Sequence, residues 1–206
     1  LLRAPLLALL ALLLTTGCAQ AQYETDARWL AEHLALTESS VIADVGAGEG
    51  ELTIALAEYI DESGRIYSTE LGEDSIEELR AAIEDADLAN TRITVRAGRS
   101  DRTNLPEACC DAIVMRRVYH HIDEPATWNE NLYRTLKPGG RLAIIDFLPW
   151  GGTEADDPEN RDQGNTHGIN AETVVRELER AGFTILSSEV RDDDDIYVLA
   201  ERPADS

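Results

Sequence analysis

The chain has 206 residues, with 40 Asp and Glu against 18 Lys and Arg and a formal net charge of −22. That length suits one α/β domain with a sizeable core, and a surface so acidic repels phosphate backbones, which argues against a nucleic-acid partner. The three cysteines, Cys18, Cys109 and Cys110, give neither a disulfide framework nor a zinc-ligand spacing, and the adjacent pair reads as a small apolar patch.

Residues 1–21 read as a targeting segment. Arg3 is a minimal basic region, and Ala4 to Leu14 is an apolar run too short to span a bilayer. Two processing routes stay open. Ala19-Gln20-Ala21 is an A-x-A-like cleavage site, leaving a mature domain over 22–206, whereas Thr16-Gly17-Cys18 resembles a lipobox that would place a lipid anchor on Cys18. The expected location is the periplasm or the exterior, with or without membrane anchoring, and the alternative is an uncleaved chain in the cytoplasm.

Tyr23 to Leu36 carries Trp29, Leu30, Leu34 and Leu36 at helical spacing, with His33 as a surface or packing residue. From Val41 onward strands and helices alternate. VIADV (Val41 to Val45) is followed by a helix over Glu51–Ile60, RIYSTE (Arg65 to Glu70) by a helix from about Ser75 to Ala86, and ITVRAG (Ile93 to Gly98) and Asp111 to Arg117 read as the third and fourth strands. A helix from about Pro125 to Leu136 runs into LKPGG, whose proline and glycines stop it, and Arg141 to Phe147 reads as a strand buried on both faces. The connection Leu148–Asn170 is long enough to be a lid or binding loop. A helix over Ala171–Ala181 ends at Gly182, and TILSSEV and IYVLAER close the chain, separated by the run Asp192–Asp195, which reads as a solvated turn without the spacing of a calcium loop. Alternation predicts a Rossmann-like α/β fold: a seven-stranded, mostly parallel sheet with helices on both faces, and one antiparallel strand from the closing pair.

Between the first strand and its helix, Gly46, Gly48 and Gly50 alternate, where the backbone must turn sharply and approach a ligand. The helix that follows would present free N–H groups to that ligand. A dinucleotide site wants G-x-G-x-x-G, which would put its third glycine at Glu51; here the pattern is D-x-G-x-G-x-G from Asp44 to Gly50. That pattern resembles motif I of the class I S-adenosylmethionine-dependent methyltransferases, and LKPGGRLAIIDF and AETVVRELERAGF resemble two further segments of the same family. The chain also resembles bacterial members of that family that carry export signals.

The resemblance implies S-adenosyl-L-methionine as cofactor and methyl transfer as activity. It implies cofactor contacts from Asp44, Gly46, Gly48, Gly50, Glu70 and Leu71, with the Glu70 carboxylate accepting from the ribose hydroxyls. It also implies Asp101 near the adenine; the family more commonly places an acid at the position of Arg99. Tyr119, His120 and His121 after the fourth strand, Asp146 at the end of the fifth and His167 in the long connection form the expected catalytic and acceptor-binding set, since a histidine can serve as general base and a tyrosine can orient an acceptor. The alternatives are a histidine pair that mainly shapes the loop, as in many small-molecule methyltransferases, and a surface place for His167. MRRVYHH stands where enzymes that methylate DNA amino groups carry Asp/Asn-Pro-Pro-aromatic, so the implied acceptor is a small molecule or lipid-like compound. The alternative is a non-catalytic domain of the same fold that binds the cofactor or a nucleoside in the cell envelope.

Overall fold

The computed structural model describes residues 20–88, 92–149, 167–191 and 194–205. Helix α1 covers residues 20–33 and ends short of the expected Leu36, because Ala35 turns the backbone to a φ of +52°. Then follow β1 (Val41–Val45), α2 (Glu51–Leu56), β2 (Arg65–Glu70), α3 (Glu73–Asp85), β3 (Ile93–Ala97), β4 (Cys110–Arg116), α4 (Pro125–Thr135), β5 (Leu136–Phe147), α5 (Ala171–Arg180), β6 (Thr184–Val190) and β7 (Asp195–Glu201). Short 3-10 turns occupy Ala57–Tyr59 and Tyr119–His121.

The strands form one sheet in the order β3-β2-β1-β4-β5-β7-β6. Strands β1 to β5 pair in parallel, and β7 runs antiparallel between β5 and β6. This is the seven-stranded sheet with one reversed strand that the alternation predicts. Its strand order reverses between β1 and β4, and in an open α/β sheet the crevice beyond the carboxyl ends of those strands is where ligands bind.

Side-chain alternation along each strand feeds two core layers. On one face Ile42, Ile66, Val114 and Ile145 pack with Leu30 of α1, Leu56 of α2 and Leu79 of α3. On the other, Val45, Met115, Ile144 and Val198 pack with Leu132 of α4 and Leu178 of α5. Both faces are covered, as a mainly parallel sheet requires.

Local structure departs from the sequence reading at several further places. The helix after the glycine turn is α-helical only to Leu56 and tightens to 3-10 before Ile60. LKPGG stops α4 but already belongs to β5: Leu136 pairs with Cys110, Arg141 with Ala112, and the residues between bulge outward. Gly139 N–H and Gly140 carbonyl instead bond Arg202 beyond β7, which satisfies the bulged backbone. Strand β4 begins one residue early, at Cys110, and the Cys109 and Cys110 sulfurs are joined as a disulfide rather than forming a plain apolar patch. Asp195, expected in a solvated turn, is buried and opens β7. Burial is tolerated because its carboxylate takes Arg117 Nη2 at 2.9 Å. The targeting segment up to residue 19, most of the long connection (150–166) and residues 192–193 lie outside the described residues. Among those described, no helix is long and apolar enough to cross a membrane.

Candidate active site

A cavity of about 580 Å³ opens at the carboxyl ends of β1, β2 and β4, where the strand order reverses. The glycine turn forms its floor. Gly46 and Ala47 both donate backbone N–H groups to the Thr69 carbonyl at 2.9 Å, which ties the turn to β2. Gly46 has φ +73°, and a Cβ there would stand 2.5 Å from Val118 Cγ2, so only glycine fits between β1 and the turn after β4. Gly48 also has a positive φ, but a Cβ there would meet nothing within 4 Å, which leaves its backbone open to the cavity. Gly50 serves packing: a Cβ there would meet Leu79 of α3 at 2.8 Å. Helix α2 has six residues, too few for its dipole to matter much, so the turn's own backbone makes the floor.

Glu70 reaches across this floor. One carboxylate oxygen accepts the Gly48 N–H at 2.8 Å and the other accepts the Leu71 N–H at 2.6 Å. A carboxylate has about four lone-pair directions, so after these bonds it retains acceptors for two more donors. Leu71, beside it, is a large apolar side chain left half-exposed on the cavity wall.

Asp44 is fully buried beneath the turn. It accepts from Thr53 Oγ1 at 2.5 Å, and that hydroxyl lies 2.6 Å from Ser68 Oγ. Burial pushes the Asp44 carboxyl up to about 6, with the Glu70 charge adding to the rise and the Thr53 bond opposing it. A cation in the cavity above would favour the ionised form of this carboxyl.

The opposite wall comes from α1 and from the residues after β4. Tyr23, Arg116, Arg117, Val118, His121, Ile122, Asp123 and Trp128 all line the cavity. Of the residues expected at the site, Asp44, Gly46, Gly48, Glu70, Leu71 and His121 line it, and Gly50, Asp101, Tyr119, His120, Asp146 and His167 do not. Asp101 sits on an exposed loop against Arg99 and Arg102, and Gly98, Arg99 and Ser100 face the cavity in its place. The Tyr119 hydroxyl donates to Glu177 of α5 at 3.0 Å and accepts from Asn129 Nδ2 at 2.6 Å, which fastens the post-β4 turn to two helices.

Asp146 performs the same service from β5. It accepts His120 N–H at 3.1 Å, His120 Nδ1–H at 2.8 Å and Phe147 N–H at 3.0 Å. The bond to Nδ1 leaves the lone pair of a neutral His120 ring on Nε2, which is buried and has no hydrogen-bond partner among the described residues. His120 packs against His121 and His167, with ring centroids 3.9 and 4.6 Å away, so three of the chain's four histidines form one cluster of which only His121 faces the cavity. Among the described residues no group of His, Cys, Asp or Glu is arranged to hold a metal.

Sequence reasoning missed Tyr23, Arg116 and Arg117. The signal was present in the doubled arginine closing an apolar strand, a place where an unneeded charge would be costly.

Residues 43–144 match the family described as "Methyltransferase domain". The ubiquinone/menaquinone biosynthesis C-methyltransferase of Proteus mirabilis is 22% identical over 120 residues, covering 58% of this chain and 47% of that protein. A solved S-adenosylmethionine-dependent methyltransferase from Aquifex aeolicus superposes with a TM-score of 0.71 at 24% identity, over 85% of this chain and 89% of its own. Geranyl diphosphate C-methyltransferase of Streptomyces coelicolor A3(2), solved with Mg2+, geranyl diphosphate and S-adenosyl-L-homocysteine, superposes with a TM-score of 0.71 at 12% identity, over 86% of this chain and 78% of its own. Residues 43–144 carry a methyltransferase domain, and the chain has the fold of the class I S-adenosylmethionine-dependent methyltransferases. It spans about half the length of the Proteus relative. Within the family match lie the glycine turn, Glu70, Arg116, Arg117 and the histidine pair, so the whole β-strand side of the cavity falls inside it.

Proposed function

We propose that this chain is an S-adenosylmethionine-dependent methyltransferase acting on a small-molecule or lipid-like acceptor in the cavity beyond β1, β2 and β4. The observation that carries this reading is the conjunction of Gly48 and Glu70 over buried Asp44. It combines an open backbone turn, a two-oxygen acceptor and a reserve of negative charge within one cavity. Glu70 would take the ribose hydroxyls, half-exposed Leu71 offers a flat apolar seat for a base, and the Asp44 and Glu70 charges favour a cation. When bound, the cofactor supplies an activated methyl group on a sulfonium, which an aligned nucleophile displaces. The protein's task is to orient the acceptor and exclude water. Val118, Ile122 and Trp128 provide the apolar wall for that, and His121 is the one cavity-lining histidine within reach of an acceptor proton. Export, with or without a lipid on Cys18, belongs to the same proposal.

Titration calorimetry with S-adenosylmethionine and S-adenosylhomocysteine tests the cofactor, with dissociation constants expected in the range of about 1 μM to 1 mM that enzymes show for substrates. Absence of binding by both at about 1 mM overturns the reading. A second reading, a cofactor-binding domain without turnover, draws support from the burial of Tyr119, His120 and Asp146, which withdraws most of the expected catalytic set from the acceptor wall and leaves His121. Acceptor-dependent release of S-adenosylhomocysteine from a panel of small molecules eliminates it.

A further inference from the structure

Arg116 is the unusual charge in this cavity. Its side chain is 11% exposed, and its one hydrogen-bond partner is Asp26, reached by Nε–H at 2.7 Å. Neither Nη group has a partner among the described residues, and neither is sealed from solvent, although Arg116 lines the cavity wall. A guanidinium so enclosed, with its four Nη donors free, directs them where it is still open, into the cavity.

The surroundings hold it rigidly. Fully buried Asp26 also accepts the Tyr197 hydroxyl at 2.6 Å and Gln22 Nε2 at 3.2 Å. The Arg116 guanidinium lies over the Tyr23 ring, 4.4 Å from its centroid. Side-chain entropy is therefore already spent before any ligand arrives, which is the condition for tight recognition. Arg117 lines the same edge, with its backbone in the left-handed region at φ +57° and its Nη2 bonded to Asp195. A non-glycine residue strained in this way inside a cavity is a mark of function.

Charge is unevenly spread over the cavity, with Arg99 near the acids of the glycine turn and Asp123 on the wall that carries the arginine pair. Asp44, Glu49, Glu51 and Glu70 lie on the side of the glycine turn, and the two adjacent arginines lie on the β4 side next to apolar Val118, Ile122 and Trp128. Arg117 is engaged by both oxygens of Asp195, whereas Arg116 meets Asp26 through Nε alone and keeps its Nη donors, so Arg116 is the one of the pair left with donors for an anionic ligand. We propose that Arg116 is the oxyanion anchor of the acceptor site, so that the methyl acceptor is an apolar small molecule carrying a carboxylate or phosphate. This rests on reading the cavity as a cofactor-plus-acceptor site. Planar guanidinium donors pair with either anion, and the apolar wall takes the body that carries it.

The test titrates the protein, saturated with S-adenosylhomocysteine, with benzoate, phenyl phosphate and the neutral isostere benzamide, read by NMR line shifts. Benzoate or phenyl phosphate should bind at least about tenfold more tightly than benzamide, and whichever anion binds more tightly names the acceptor's group. Arg116→Gln should abolish that preference and leave S-adenosylhomocysteine affinity within about twofold of the parent. Because this variant strands buried Asp26, Asp26→Asn/Arg116→Gln removes both charges and is read in the same way, and the benzamide comparison needs no variant at all. No preference for the anions in the parent overturns the proposal. So does a loss of S-adenosylhomocysteine affinity on Arg116→Gln that is absent for its decarboxylated analogue, since the arginine would then hold the cofactor's own carboxylate. Failure of the parent to bind S-adenosylhomocysteine is a different result: it removes the methyltransferase reading and the acceptor assignment with it.

Discussion

Asp44 shows how one buried residue couples stability, pH and ligand. Burial raises its carboxyl from 3.8 to about 6, so the folded chain binds this proton more tightly than the unfolded chain does. Stability from this group is therefore present below about pH 4 and is lost as pH rises to about 6, a difference on the order of 3 kcal/mol. Asp44→Asn removes the dependence. Urea unfolding of parent and variant from pH 4 to pH 7 should show the parent losing about that much relative to the variant, and a constant difference would refute the assignment. A cation in the cavity favours the carboxylate, so S-adenosylmethionine binding near pH 5.5 should release a proton, measurable by calorimetry in buffers of different ionisation heat. Glu70 acts differently, because its two oxygens already hold the Gly48 and Leu71 N–H groups. Glu70→Gln keeps the volume but puts an NH₂ against one of those donors. The expected result is a ten- to hundredfold loss of S-adenosylhomocysteine affinity, about 1.5–3 kcal/mol, in a protein that still folds. Unchanged affinity would mean the carboxylate serves the turn and not the ligand.

At the level of elements, the glycine turn works only because the post-β4 turn closes over it. Gly46→Ala places a methyl group 2.5 Å from Val118 Cγ2 and forces a Cβ into a positive-φ conformation. A cost of about 1–3 kcal/mol is expected. Val118→Ala removes the clash and leaves the backbone strain, so a double-mutant cycle by denaturant unfolding should return a favourable coupling of at least about 0.5 kcal/mol. Additive losses would show that strain alone is responsible. The elements were legible in sequence wherever burial is periodic: VIADV, RIYSTE and RLAIIDF are strands because alternate side chains meet a covered sheet on both faces. They were illegible where distant backbone decides. LKPGG reads as a stop signal locally, but Arg202 accepts and donates the bonds that draw it into β5. The glycine turn and Glu70 were legible as a site because spacing along the chain sets them in neighbouring strands. Asp146, His120 and Tyr119 were legible as polar residues at the correct edge. Whether such a side chain faces the cavity or clamps a neighbouring element depends on partners such as Glu177 and Asn129, which no local pattern reveals.

The whole molecule carries a formal charge of −22, and that excess acts on folding and on ligand capture in opposite directions. Like charges repel in the compact state, so added salt should stabilise the fold by screening them. The buried pair Arg116–Asp26 and the half-buried pair Arg117–Asp195 are screened less than exposed acids, so they do not reverse the sign. Unfolding in urea, which adds no ions of its own, should show a midpoint that rises with NaCl from about 0.02 M to 0.5 M at constant slope, by on the order of 1–2 kcal/mol. KCl should act alike, since screening is indifferent to the cation. The same acidic field draws cations toward the Asp44 and Glu70 side of the cavity. Stopped-flow association of cationic S-adenosylmethionine should slow across that salt range, whereas S-adenosylhomocysteine, which lacks the sulfonium charge, should change much less. A rising midpoint with a falling association rate for S-adenosylmethionine alone ties both effects to the global charge. Equal salt dependence for the two ligands would place ligand capture outside the influence of that field.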